Sequence, residues 1–182
     1  MKLRFSISVV LIFLFTSNIF GQKENLEGIE VGAMAPEIEL SGLAGETVSL
    51  SQLQGKIVLI NFWASWCAPC RKKSPYLRAI FNEYKELDFE DGEKGFVIFN
   101  VSLDKNEIAW KNSIRKDSVG AFINVGDMKG WDCTAAKTYN IRKIPTSLLL
   151  DGTGKIIAIN LHTRDLEKKL KRMKKGGFPW FF

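Results

Sequence analysis

Cys67 and Cys70 stand two residues apart in Trp66-Cys67-Ala68-Pro69-Cys70, and the chain's third cysteine, Cys133, stands alone. A C-x-x-C pair supports two chemistries. It can supply half of a tetrahedral zinc site, or it can exchange a disulfide. Zinc needs two further ligands, and only Cys133 and His162, the single histidine, remain, each isolated in sequence. Disulfide exchange needs a thiolate, because the anion and not the thiol attacks a disulfide sulfur. A helix N-terminus favours that anion, with its unpaired N–H groups and partial positive charge. Cys67 falls where a helix should open and is expected to attack, ionising more readily than a free thiol. Cys70 lies one turn in, so its attack on a mixed disulfide at Cys67 is intramolecular and fast. Pro69 has no N–H to lose in a first turn.

The neighbouring elements must hold that pair. Ile57 to Trp63 is a nearly continuous apolar, β-branched run, expected to be a strand buried on both faces. Ala64 to Cys70 connects it to a helix. Leu77, Ile80, Phe81 and Tyr84 mark one face of that helix, which should reach about Leu87, with Pro75 kinking it. Before the strand, Glu37 to Leu40 and Val48 to Leu50 alternate around Gly42 and Gly45 as a hairpin. After the helix, Phe96 to Val101 reads as a second buried strand. Asp104 or Asn106 should cap a helix carrying Ile108, Trp110 and Ile114. Ala121 to Val125 fits a short strand and Trp131 to Tyr139 a short helix. Thr146 to Leu150 should pair with Lys155 to Leu161 through the turn at Asp151 to Gly154. A last helix, capped by Thr163 or Asp165, should turn Leu166, Leu170 and Met173 inward and end at Gly176. This order predicts an α/β fold, a mixed sheet layered between helices with a hairpin in front.

The 182 residues suffice for one domain with a core, and 46% hydrophobic with 25% charged residues exclude a disordered chain. Lys2 and Arg4 precede an apolar run from Ser6 to Phe20, which reads as a secretory signal ending at Gly21. The residue three before that cut is Ile19, not a small one, so the point of cleavage stays open. An uncleaved anchor is the alternative. The expected division is 1–21 signal peptide, 22–32 flexible lead-in, 33–175 folded domain and 176–182 aromatic tail. Removing Lys2 and Arg4 takes the net charge from +6 to +4, too small an excess to argue for nucleic acid. An exported chain with one close cysteine pair fits redox work better than a disulfide scaffold. Cys133 is expected to be a small buried hydrophobe and His162 a surface residue. Trp63 is expected in the core and Trp66 over the cysteines. Phe178, Trp180, Phe181 and Phe182 follow a basic helix. They are expected to fold back on the domain, with contact to a membrane surface as the other reading.

These residues resemble the thioredoxin superfamily, and more narrowly its exported TlpA/ResA-like branch, over roughly Gly32 to Met173. Asn61-Phe62-Trp63-Ala64-Ser65-Trp66-Cys67-Ala68-Pro69-Cys70 matches the active-site block. Gly32 to Pro36 and Gly55-Lys56 match the N-terminal hairpin pattern. Ile144-Pro145-Thr146 matches the proline that the family keeps cis beside the cysteines. Lys129-Gly130-Trp131 with Ala135, Tyr139 and Ile144-Pro145 resembles a bacteroidete-type variant. The resemblance implies a three-layer thioredoxin-like sandwich over 33–175, a thiol–disulfide oxidoreductase working in the periplasm without a cofactor beyond its own disulfide, and catalysis by Cys67 and Cys70. It further implies substrate contacts at Trp66, Ala68, Pro69, Ile144 and Pro145. Its implied partners are disulfide-bearing exported proteins, among them the haem-attachment cysteines of apocytochromes, and an unidentified redox partner that recharges the pair.

The chain departs from that pattern at two positions. Where relatives carry a buried carboxylate near the cysteines, this chain has Asn61, on the strand before the motif, and Lys73, three residues after it. Neither takes up a proton as a carboxylate does. Arg71-Lys72-Lys73 then puts three cations near the helix start. They are either a solvated basic face or charges that favour a Cys67 thiolate, and Lys73 and Asn61 are the candidate tuning residues. A peroxiredoxin-like peroxidase is a competing reading, but the P-x-x-x-T-x-x-C pattern is missing before Cys67. A copper-binding thioredoxin-like carrier is another, with His162 as distal ligand, although such carriers space their cysteines by three residues.

Overall fold

The computed structural model describes residues 29–176. The expected signal segment, most of the lead-in and all but Gly176 of the aromatic tail lie outside the described residues. A two-stranded antiparallel sheet, β1 (Glu39–Ser41) and β2 (Thr47–Ser49), precedes a five-stranded mixed sheet. That sheet contains β3 (Ile57–Trp63), β4 (Phe96–Ser102), β5 (Ile123–Gly126), β6 (Thr146–Leu150) and β7 (Ile156–Ile159), in the order β5-β4-β3-β6-β7. β3, β4 and β5 run parallel, while β6 runs antiparallel to β3 and β7 to β6. The helices are α1 (Ala68–Tyr84), α2 (Glu107–Lys116), α3 (Thr134–Thr138) and α4 (Thr163–Met173), with α1 packed against α4.

All seven residues of β3 are buried, as a central strand covered on both faces requires. Leu77, Ile80, Phe81 and Tyr84 form the buried face of α1. Leu166 and Leu170 do the same for α4, and Met173 is packed against the core.

Some local readings need correction. The first helix ends at Tyr84, not Leu87. Asn106, not Asp104, caps α2, its Oδ1 accepting from Ala109 N–H at 2.9 Å. Asp104 is instead buried and turned toward the loop after β3. Neither Thr163 nor Asp165 caps α4: its N-cap position is the exposed His162, with no side-chain hydrogen bond. The segment Trp131 to Tyr139 is not one helix. A 3-10 turn at Gly130–Asp132 gives way to α3, and the fully buried Cys133 sits at the break.

The register decides what meets at the functional end of the sheet. Trp63 pairs with Ser102 and Ser102 with Gly126, so β3, β4 and β5 finish side by side. Their exits, Ala64–Cys67, Leu103–Asn106 and Asp127–Trp131, therefore share one edge. β6 enters from the opposite direction, pairing Thr146 with Phe62. The residues before it, Ile144 and Pro145, come alongside the exit of β3.

Candidate active site

Cys67 is the N-cap of α1 and is joined to Cys70 by a disulfide, with Cα atoms 5.3 Å apart. The backbone explains why this turn suits a sulfur anion. Cys67 N–H donates to Ala64 O at 3.0 Å, and Cys67 O accepts from Arg71 N–H at 3.1 Å, the first helical bond. Pro69 brings no N–H. Cys70 N–H is left to donate to Cys67 Sγ at 3.2 Å. The sulfur thus takes the place that an N-cap oxygen takes in other helices. Cys67 is 4% exposed in this disulfide form, between the exposed Trp66, Ala68 and Pro69. An uncharged disulfide tolerates that burial, while the reduced anion would rest on the Cys70 N–H and the helix end.

Three other features frame the pair. The Ile144–Pro145 peptide is cis, as the resemblance implied, and both residues are half-buried beside the exit of β3. Asp104 fastens the cysteine loop. Its carboxylate accepts from Ser65 N–H at 2.9 Å, from Ser65 Oγ, and from Ser102 Oγ at 2.7 Å. Trp63 is in the core as expected. Trp66, expected over the cysteines, is 56% exposed, and its ring meets that of Trp131 with centroids 6.2 Å apart.

The basic triplet does not act as one face. Arg71 holds Asp117 with two hydrogen bonds, at 2.8 and 2.6 Å, so its charge is matched. The hydrogen bond to Asp117 raises the guanidinium's pKa further, against a smaller opposing effect of burial. Lys72 is exposed. Lys73 is half-buried, and burial pushes its amine down. It lies three residues beyond Cys70 on α1, the spacing that makes helix neighbours, and helical side chains lean back toward the N-terminus.

Asn61 heads a chain of amides. Its Nδ2 donates to Asn100 Oδ1 at 2.7 Å, and Asn100 Nδ2 donates to Asn124 Oδ1 at 2.9 Å. Asn124 Nδ2 donates to the carbonyls of Val119 and Phe122, both at 2.9 Å. Those carbonyls can only accept, which fixes the direction of every amide back to Asn61. Position 61 must therefore donate, and a carboxylate there would face an oxygen. Asn100 and Asn124 escaped the sequence reading. Their signal is an asparagine in each of three apolar runs, at positions that become one rung only when the strands are aligned.

Cys133 is buried, and burial pushes its thiol up, in keeping with a packing role. Among the described residues, no group of three or more His, Cys, Asp or Glu side chains could hold a metal ion.

A mixed sheet whose central parallel strand delivers a cysteine pair to a helix N-terminus, beside a cis-proline, defines a thioredoxin-like thiol–disulfide oxidoreductase. Comparison with known proteins agrees. The model of the AhpC/TSA family matches residues 31–159, and the chain belongs to that family. It is 32% identical over 181 residues to the thiol–disulfide oxidoreductase ResA of Bacillus thuringiensis (strain Al Hakam), covering 94% of this chain and 96% of the relative. Two solved structures are also similar. The thioredoxin domain of a Bacteroides vulgatus thiol–disulfide oxidoreductase superposes with a TM-score of 0.70 at 34% identity, covering 79% of this chain and 97% of that one. A thiol–disulfide oxidoreductase from Bacteroides fragilis gives 0.69 at 35% identity, covering 77% and 98%.

Proposed function

We propose that Cys67 is the attacking sulfur and Cys70 the resolving one in disulfide exchange with exported, periplasmic proteins. The observation that carries this reading is the Cys70 N–H donated to Cys67 Sγ at the first turn of α1. The reduced Cys67 thiolate attacks one sulfur of a substrate disulfide. A mixed disulfide forms and the other substrate sulfur leaves as a thiolate. Cys70, giving up its proton, then attacks Cys67 Sγ, which closes the intramolecular disulfide and frees the second substrate thiolate. The substrate gains two electrons and the pair loses two. An external dithiol partner restores the pair by the same exchange in reverse.

Trp66, Ala68 and Pro69, next to Cys67 in the chain, together with Ile144 and Pro145 beside the exit of β3, receive the substrate chain. An extended strand can pair with the backbone at Ile144, which lies beside the exit of β3. Lys73 favours the thiolate by charge, and Asn61, held by its amide chain, keeps a second negative charge away from it. A thiolate stabilised in this way makes the reduced form more stable and the disulfide more oxidising.

Export fits a redox-active disulfide that persists, since oxidising compartments preserve disulfides. It also fits the basic start and apolar run of residues 1–21. No described helix is long and apolar enough to cross a membrane.

The test is reduction of insulin disulfides with dithiothreitol as electron source. Cys67→Ser should abolish the catalysed rate. Cys70→Ser should accumulate a mixed disulfide on Cys67, identified by mass spectrometry. Full activity in Cys67→Ser would refute the assignment.

A further inference from the structure

We infer that Trp131 is a specificity-determining residue. With Trp66 it forms an aromatic platform that grips an aromatic or large aliphatic side chain next to the cysteine of a polypeptide substrate. The inference rests on the reading of Cys67 above and adds the kind of substrate chain that the site prefers.

The two indoles meet at 6.2 Å with their planes tilted by 52°, and Trp66 and Trp131 remain 56% and 44% exposed. Large aromatics left open to water are costly, and an exposed cluster of them marks a contact surface. Tryptophan is also among the residue types that dominate binding energy at interfaces. The occupant follows from position. Trp66 directly precedes Cys67, so the ring pair stands next to the point where a polypeptide is joined to Cys67 through a mixed disulfide.

The platform is built in place. Asp104 fastens both loops that carry it. Its carboxylate holds Ser65, one residue before Trp66, while its backbone carbonyl accepts from Gly130 N–H at 3.2 Å, one residue before Trp131. Asp127 holds the far loop from the other side, accepting from Lys129 N–H at 3.1 Å and from Thr134 N–H at 3.0 Å. Met128 and Gly130 both adopt left-handed backbone, with φ of 57° and 64°. A Cβ at Gly130 would lie 2.7 Å from Lys105 Cε, so that side chain would have to shift to admit one. A loop fixed by these bonds has already lost its freedom before a substrate arrives, which strengthens binding.

The test uses two disulfide peptides that differ at one residue beside the cysteine, Phe in one and Gly in the other. The reduced wild-type protein should prefer the Phe peptide about fivefold in kcat/KM, through KM, as expected for one aromatic contact. Trp131→Ala should bring that ratio close to one, and Trp131→Phe should keep most of it. A Trp131→Ala protein that retains the wild-type ratio would overturn the inference. So would one in which both peptides slow equally, as a merely structural role predicts. A wild-type ratio of one would also overturn it while leaving the Cys67 reading intact. A wild type that reduces neither peptide would overturn both. Self-association of the wild type that Trp131→Ala abolishes would overturn it in favour of a second copy of the chain.

Discussion

Replacing Asn61 with Asp should destabilise the protein in a pH-dependent way, and the amide chain determines how much. Asn61 Nδ2 lies 2.7 Å from Asn100 Oδ1, and Asn100 cannot turn over without setting its own oxygen against Asn124 Oδ1. Asn124 cannot turn over either, because its amino group serves two carbonyls. The carboxylate introduced by Asn61→Asp would thus lose one hydrogen bond and leave a buried oxygen unpaired against a charge, at a cost of about 3 kcal/mol. Protonating the new carboxyl so that it donates would avoid this, but at pH 7 that costs about 4 kcal/mol, at about 1.4 kcal/mol per unit above 3.9. The ionised, broken arrangement therefore wins near neutrality. Below about pH 6 protonation costs less than about 3 kcal/mol and takes over. The folded carboxyl holds its proton to higher pH than the unfolded one. The penalty is therefore nearly absent below about pH 4, the ordinary aspartate value, and grows as pH rises through that value. Urea unfolding of the oxidised proteins should show Asn61→Asp about 3 kcal/mol less stable at neutral pH and close to wild type in acid. Asn61→Ala removes the donor without adding a charge, so its loss should not change with pH. An Asn61→Asp loss that is flat with pH and equal to that of Asn61→Ala would refute the fixed direction of the amides.

Three further outcomes follow from the geometry. Asp104→Ala leaves the Ser65 N–H without its acceptor and should lower stability by about 2 kcal/mol, read as a drop in urea midpoint at constant m-value. An unchanged midpoint would mean that the loop does not depend on Asp104. Lys73→Gln removes a half-buried cation three residues beyond Cys70 on α1 and should slow alkylation of reduced Cys67 in mildly acidic solution about two- to threefold, the size of a unit charge acting through water-like screening. A faster reaction would reverse the proposed role of that charge. Tyr139→Phe removes the hydroxyl that donates to Pro36 O while leaving the ring against Phe62, and should cost about 1 kcal/mol in thermal or urea unfolding. A loss of several kcal/mol would mean that the ring also shifts.

The sequence shows the parts of this site whose cause is local. Ile57 to Trp63 reads as a buried strand because every residue is apolar or flanked by apolar ones, and Pro69 inside a C-x-x-C marks a helix start without knowledge of the rest of the chain. What the sequence hides is set by register and long-range pairing. Asp104 and Asn106 are equally plausible caps by type. Only the alignment of β3 with β4 sets Asp104 against Ser65 and leaves the cap to Asn106. Asp117 meets Arg71 across 46 residues, a pairing that the local run Arg71-Lys72-Lys73 does not reveal. Trp131 shows its partner only because β3, β4 and β5 end together. Asn61 is legible as a departure from its relatives, but the reason for it, a required donor, lies in two asparagines on neighbouring strands.

The most direct test of the central claim is the order in which the sulfurs react. The reduced, folded protein is treated with limiting iodoacetamide in mildly acidic solution, and each cysteine is followed by peptide mass mapping. Cys67, resting on a helix-terminal N–H, should be modified first, with Cys70 and the buried Cys133 well behind. If Cys70 or Cys133 reacted first, or all three at one rate, position 67 would not hold the attacking anion.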